Sequence, residues 1–316
     1  MKIAVTGGAG FIGSHVVDQL LDAGHRVVVI DTRSPHRADA AFRDVDITDL
    51  AGLVRATAGC DVVFHLAAVS NVNDAQADPV GCIDVNVTGT ARVWEAARRN
   101  QVGRAVLAST VWVYAAAPDD DQAGDLTEDT PLAVSGTEHV YTASKISAEL
   151  VVTSFHELFG QPYTILRYGI PFGPRMRDAL VIPRFMTSAQ SGTPITIHGD
   201  GMQFRNYVYV EDMARAHLLA LGDAGINQIF NLEGPAPVSI RHVAETVRDL
   251  LNPAMTIEFV PARPGDYAGR KVSAEKAGAL LGWRPTTSFD EGMRRYAAWW
   301  TADGPDEDMP RVAGKG

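Results

Sequence analysis

Residues 6–13 read Thr6-Gly7-Gly8-Ala9-Gly10-Phe11-Ile12-Gly13, and this glycine turn constrains the fold more than any other stretch. An apolar run, Lys2-Ile3-Ala4-Val5, leads into it. A helical pattern with apolar residues at Ile12, Val16, Leu20 and Ala23 leads out, with Gly24 placed to cap it. Gly7 permits a tight turn, Gly10 lets a ligand approach the backbone, and Gly13 lets the helix pack close to its strand. A helix that starts this way presents unpaired N–H groups, which suits a pyrophosphate. The next apolar run ends Val27-Val28-Val29-Ile30-Asp31, so an acid falls 18 residues (31 − 13) past Gly13, where a carboxylate accepts ribose hydroxyls. The turn predicts a dinucleotide site contacted by Gly7, Gly10, Phe11, Ile12, Gly13 and Asp31. A carboxylate at 31 repels a 2′-phosphate and favours NAD, while Arg33 leaves NADP open.

Short β-rich runs alternate with helical stretches through the first half, the pattern of a parallel sheet with crossover helices. Strands are predicted at 2–6, 26–31, 62–67, 104–109 and 163–168, and helices at 12–23, 49–58, 79–99 and 141–159. The first, third and fourth strands are nearly continuous apolar runs, as in strands covered on both faces. The expected fold is α/β: a Rossmann doubly wound parallel sheet over residues 1–171, then a smaller C-terminal α/β substrate domain over 172–301. In that domain, helices are expected near 182–191, 211–221, 240–251, 274–281 and 289–300, and strands near 195–198, 204–210, 229–232 and 256–260. Residues 115–140, with Asp119-Asp120-Asp121, read as a flexible flap over the site, and 302–316 as a disordered tail.

Composition narrows the partners. The 316 residues are 46% apolar and 21% charged, which excludes disordered and fibrous classes, and a net charge of −10 argues against nucleic acid. No stretch reaches the roughly 18 apolar residues of a membrane span, and the N-terminus lacks the apolar core of a signal peptide. Two cysteines, Cys60 and Cys82, without metal-ligand spacing, fit a reducing, cytoplasmic setting and no metal site.

Tyr141-Thr142-Ala143-Ser144-Lys145 puts a phenol and an ammonium four residues apart, on one helix face. A free tyrosine ionises near pH 10; reaching neutrality takes roughly 3 pKa units, about 4 kcal/mol of phenolate stabilisation. Lys145 and an oxidised nicotinamide are the groups to supply it. Thr110, at the end of the run Leu107-Ala108-Ser109-Thr110, is expected to face the nicotinamide and share the substrate proton.

With the glycine turn, these residues resemble an extended short-chain dehydrogenase/reductase of the NAD-dependent epimerase/dehydratase family, over about residues 1–300. Further matching stretches include Asp46-Ile47-Thr48-Asp49, His65-Leu66-Ala67-Ala68, Asp84-Val85-Asn86, Arg167-Tyr168, Arg205-Asn206-Tyr207 and Arg263-Pro264-Gly265-Asp266. The resemblance implies NAD as cofactor and a nucleotide-diphosphate sugar, above all a UDP-sugar, as substrate. It makes Tyr141 the base, Lys145 its partner and a ribose ligand, and Thr110 a sugar-binding hydroxyl. It adds Asp46, Ile47, Leu66, Ala67, Ala68, Asn86, Ser109 and Tyr168 to the cofactor contacts. Arg205 and Arg263 would grip the diphosphate, and Ile170 stands where an asparagine usually contacts it. A homodimer through the Tyr141 helix is also implied.

Family members that eliminate water carry an Asp-Glu pair after the threonine, and sugar-acid decarboxylases a Glu two positions on. This chain has Val111 and Trp112, which cannot move protons. A 4-epimerase, with Tyr141 as base and a transient 4-keto sugar, is the leading expectation. A nucleotide-sugar ketoreductase or dehydrogenase comes next, then a dehydrogenase of a small carbonyl, for which the arginines have no anion. A non-catalytic dinucleotide sensor comes last, since it would not need the Tyr–Lys pair.

Overall fold

The computed structural model describes residues 1–117, 124–133, 135–137, 139–262, 271–302 and 304. The chain divides into two compact units: Met1–Tyr168 with Met213–Leu232 and Val272–Arg284, and Gly169–Asp212 with Glu233–Lys271 and Pro285–Gly316.

The first unit is built on seven strands: β1 (Lys2–Thr6), β2 (Arg26–Asp31), β3 (Ala41–Asp44), β4 (Val62–His65), β5 (Arg104–Thr110), β6 (Tyr163–Tyr168) and β7 (Gln228–Leu232). They form one all-parallel sheet in the order β7-β6-β5-β4-β1-β2-β3. The chain builds outward from β1 in one direction and returns to start β4 on its other side. The topological switch point therefore lies between β1 and β4, where Thr6 pairs with His65. All of β4 and β5 is buried, as their apolar runs require.

The helices that bear on the site are α1 (Phe11–Asp22), α2 (Leu50–Ala56), α3 (Thr90–Arg99), α4 (Val140–Phe159) and α5 (Val210–Leu219). Leu53 from α2, Trp94 and Ala97 from α3, and Ala148 and Val152 from α4 bury their side chains in one cluster with Ala4, Val28, Leu107 and Ile165 of the sheet. Burying a large apolar side chain of this kind stabilises the fold by roughly 1.5–3 kcal/mol.

Several sequence expectations need correction. β4 stops at His65, not residue 67, because the Ala67 N–H leaves the ladder for the Thr6 hydroxyl, at 3.4 Å. The single helix expected over 79–99 is a short helix, Pro79–Ile83, a π-helical turn, Asp84–Gly89, and then α3. At Gly89 an added Cβ would lie 2.8 Å from the end of the Ile47 side chain, which would have to shift to admit it. The segment near 229–232 is not part of a separate domain: as β7 it pairs in parallel with β6. The first unit therefore ends at Tyr168 and recruits two later segments, where a continuous boundary near 171 was expected. β3 and a short helix, Val72–Ala77, were not anticipated; β3 is a mostly exposed edge strand with no apolar alternation.

The 115–140 connection is anchored where it is described. Leu126 bridges to Val272, and the Asn231 N–H donates to Glu128 at 2.6 Å. Asp119, Asp120 and Asp121 lie outside the described residues, as does nearly all of 302–316.

The second unit holds a three-stranded sheet (Pro237–Ser239, Phe204–Tyr209, Ile170–Phe172) and a two-stranded parallel one (Ile257–Val260, Ile195–His198). Phe172, Tyr207 and Phe289 pack edge-on or tilted, with ring centroids 5.1–5.8 Å apart. Buried Asp212 accepts the Thr286 and Thr287 N–H groups at 3.0 and 2.8 Å, fixing the chain ahead of helix Phe289–Ala302.

Candidate active site

The glycine turn has the shape its sequence predicts. Gly7 sits at φ +71°, and its N–H donates to the Ile30 carbonyl at 3.0 Å. A Cβ there would lie 2.6 Å from the Ala67 backbone nitrogen, and one at Gly13 would overlap the Gly7 carbonyl oxygen. Gly10 is the N-cap of α1, with no side chain capping the first turn and no acid in it. Backbone N–H groups and the helix dipole are thus left to face an anion. The Asp31 carboxylate accepts the Ala9 N–H at 3.0 Å and the Arg33 N–H at 3.1 Å, which fixes the acid beside the turn. This cradle fits a dinucleotide: the turn would face its pyrophosphate, and Asp31 lies at the end of the adjacent strand.

The switch point is held by a neutral histidine. Burial, with Lys145 nearby, pushes the His65 pKa down to about 3. Thr90 Oγ1 donates to the Asn86 carbonyl at 2.6 Å, so His65 Nε2–H donates to Thr90 at 3.1 Å. His65 Nδ1 then accepts the Thr6 hydroxyl at 2.7 Å. The Asn86 amide bonds both backbone groups of Val69, at 2.8 and 2.9 Å, and donates to Ser144 Oγ at 2.9 Å. Val69, in the loop that follows β4, is in this way tied to α4.

Tyr141 and Lys145 lie one turn apart on the buried face of α4. Tyr141 packs against Ala75 and Cys82, and Ser144 Oγ donates to its carbonyl at 2.7 Å. Lys145 Nζ donates to the Ala108 carbonyl at 3.0 Å, bringing α4 to the carboxyl end of β5, where Thr110 stands. Thr110 Oγ1 accepts the Trp112 N–H at 3.2 Å, which leaves its own proton to donate. Burial lowers the Lys145 pKa to about 8, and Glu149, one further turn along α4, opposes that fall.

Glu149 is itself buried at the centre of a network. It accepts the Ser109 hydroxyl at 2.5 Å and a two-pronged Arg167 guanidinium, Nη2 at 2.6 Å and Nε at 3.0 Å. Arg167 Nη1 donates to the Tyr114 hydroxyl at 2.6 Å, and Tyr114 to Asn231 Oδ1 at 2.9 Å. Ion pairs this buried need such complete hydrogen bonding to offset desolvation.

The model of the NAD dependent epimerase/dehydratase family matches residues 3–232, more than half of the chain. The chain belongs to that family. NAD is its cofactor. Among relatives, dTDP-glucose 4,6-dehydratase 1 of Escherichia coli is 32% identical over 340 residues, covering 96% of this chain and 93% of the relative. UDP-glucuronate 4-epimerase of Thermodesulfobacterium geofontis is 32% identical over 314 residues, covering 93% and 94%. UDP-glucose 4-epimerase of Thermus thermophilus, solved in complex with NAD, superposes with a TM-score of 0.84 at 33% identity, covering 96% of this chain and 99% of that one. Overall similarity does not separate the two reactions in this epimerase/dehydratase-family protein; local residues have to.

The structure gathers Gly7, Gly10, Phe11, Ile12, Gly13 and Asp31 around the turn, and brings Lys145 to the end of β5 that carries Thr110, with Tyr141 one turn ahead of Lys145 on α4. Five other expected cofactor contacts have side chains with partners within the chain. Asn86 is committed to Val69 and Ser144, and Ser109 to Glu149. Ile47 is core. Tyr168 is buried, its hydroxyl donating at 2.6 Å to Nε2 of His217, whose pKa burial lowers to about 4. Asp46 is exposed and accepts from Thr48, at 2.8 Å. In the second unit Ile170 and Arg205 share one sheet: Ile170 pairs with Tyr207, and Arg205 Nη1 donates to the Phe204 carbonyl at 2.7 Å. Arg263 lies outside the described residues. Sequence reasoning missed Glu149, whose four-residue offset from Lys145 was a usable signal. It also missed His217, which nothing near it in sequence marks.

Proposed function

We propose that this chain is a nucleotide-sugar 4-epimerase acting on a UDP-sugar through a transient 4-keto sugar. One observation carries the reading. Tyr141 and Lys145 share the buried face of α4, tied to β5 by the Lys145–Ala108 bond, while Val111 and Trp112 stand where water elimination would need an acid and a base. NAD, when bound, supplies the reversible hydride acceptor. The Tyr141 oxygen takes the proton of the sugar C4 hydroxyl, and the Lys145 charge stabilises the phenolate. The Thr110 hydroxyl donates to the same sugar oxygen. Neither Val111 nor Trp112 can then expel water, so the keto sugar leaves only by reduction. Arg205 and Arg263 are our candidates for the diphosphate, as guanidinium forks suit two phosphates.

A homodimer through α4 is part of this reading, supported by the exposed Leu150, Leu158 and Phe159 on that helix. So is a cytoplasmic setting, supported by two free, buried cysteines.

The test is incubation with UDP-sugars without added cofactor, reading C4 stereochemistry by NMR. Interconversion of C4 epimers is expected. A 4-keto-6-deoxy product would instead make the chain a dehydratase, and stoichiometric cofactor reduction a dehydrogenase. Tyr141→Phe is expected to lower kcat by about 10²–10⁴-fold with NAD still bound.

A further inference from the structure

We propose that Trp112, paired with His139, is an aromatic platform for the sugar ring and selects the sugar part of the substrate over the nucleotide. This rests on the nucleotide-sugar reading above. Trp112 lies in a single 3-10 turn, Val111–Tyr114, directly after Thr110. That turn is held rigidly. Thr110 Oγ1 accepts the Trp112 N–H, the Trp112 carbonyl accepts the Ala115 N–H at 2.9 Å, and Tyr114 is pinned by Arg167 and Asn231. Val113 and Tyr114 are each 1% exposed and supply the turn's share of the core, whereas Trp112 is only half-buried. Its ring meets that of His139, centroids 6.3 Å apart and planes at 46°. His139 is the N-cap of α4, two residues ahead of Tyr141. The pair therefore joins the two segments that deliver the Thr110 and Tyr141 hydroxyls.

Large aromatics placed at the carboxyl edge of a parallel sheet, beside polar groups, are the usual lining of a ligand site. A pyranose suits such a lining, because its axial C–H bonds rest on a ring face while its hydroxyls meet Thr110 and Tyr141. A flat aromatic surface imposes no direction in its plane. It can support either face of a 4-keto sugar that turns over between the two half-reactions. An acid–base pair in that position would have fixed one orientation.

Binding of UDP and of UDP-glucose to the NAD-loaded protein, measured by calorimetry alongside kcat and KM, tests this. Trp112→Ala is expected to weaken UDP-glucose by about tenfold while UDP and NAD bind as in the wild type. Trp112→Phe is expected to recover most of the loss, and His139→Ala to give a smaller loss in the same sense. Equal weakening of UDP and UDP-glucose, or no weakening of either, overturns the platform while leaving the epimerase reading intact. A wild-type protein that binds no sugar nucleotide overturns that reading, and the platform with it.

Discussion

The Lys145 ammonium lies on the inner face of α4 with its Nζ on the Ala108 carbonyl, and burial lowers its pKa to about 8. Stability and activity then run in opposite directions above that pH. Between about 8 and 10.5 the unfolded chain holds a proton on this lysine that the native chain has lost, so Lys145 makes folding more favourable as pH rises. In the proposed mechanism its charge stabilises a Tyr141 phenolate, so turnover is expected to decline across the same range without unfolding. Glu149 holds the lysine pKa up, and Glu149→Gln removes that charge while keeping an amide oxygen for Ser109. The alkaline limb of kcat/KM is expected to move to lower pH in this variant, measured in parallel with its melting temperature. A limb that stays in place would show that Glu149 serves Arg167 alone. Leaving Arg167 with a neutral partner is expected to destabilise the fold by roughly 3–5 kcal/mol.

At the scale of elements, the turn between β1 and α1 was the most legible part of the chain. Its glycines answer to backbone geometry that only they satisfy, at Gly7 against Ala67 and at Gly13 against Gly7. Gly13→Ala places a methyl on backbone that cannot give way. It is expected to lower stability by about 1–3 kcal/mol and to abolish NAD binding, read as a melting temperature that no longer rises with NAD. β1, β2 and β6 fall on the predicted residues, β1 and β2 as apolar runs and β6 as a β-rich segment around Ile165 and Leu166. The π-helical turn at Asp84–Gly89 left none; its Gly89 lies against Ile47, forty-two residues (89 − 47) away in sequence. The site divides the same way. Tyr141 and Lys145 announce themselves by helical spacing, whereas the Tyr168–His217 bond exists only once β6 and α5 are in place. Residues with the right identity, such as Ser109 and Asn86, turned out to spend their side chains on holding β5 and the loop after β4 against α4.

For the whole molecule, composition and strand rhythm made the α/β class readable, but the division of the chain was not, because β7 returns to the first sheet after an excursion through the second unit. The residue that follows β7 is Glu233, 5% exposed, whose carboxyl burial pushes up to about 8 while one oxygen accepts the Gly234 N–H at 3.0 Å. In the unfolded chain it ionises near 4.5, so from 4.5 to 8 the native state holds a proton the unfolded state lacks, and Glu233 makes the fold less stable as pH rises. Buried His65 and His217 act in the opposite sense. Their native values near 3 and 4 lie below the usual 6.5, so both add stability as pH rises toward 6.5 and nothing beyond it. Two groups against one give a net rise up to about pH 6.5, and Glu233 alone then gives a fall toward pH 8. Each group changes the folding free energy by about 1.4 kcal/mol per pH unit at most. Below pH 8, melting temperature is therefore expected to peak near 6.5 in the wild type. Glu233→Gln keeps the Gly234 bond and removes the ionisation, so the decline from 6.5 to 8 is expected to flatten, with a gain of about 2 kcal/mol at pH 8 relative to 6.5. A variant that still loses stability over that range would place the alkaline sensitivity elsewhere in the fold.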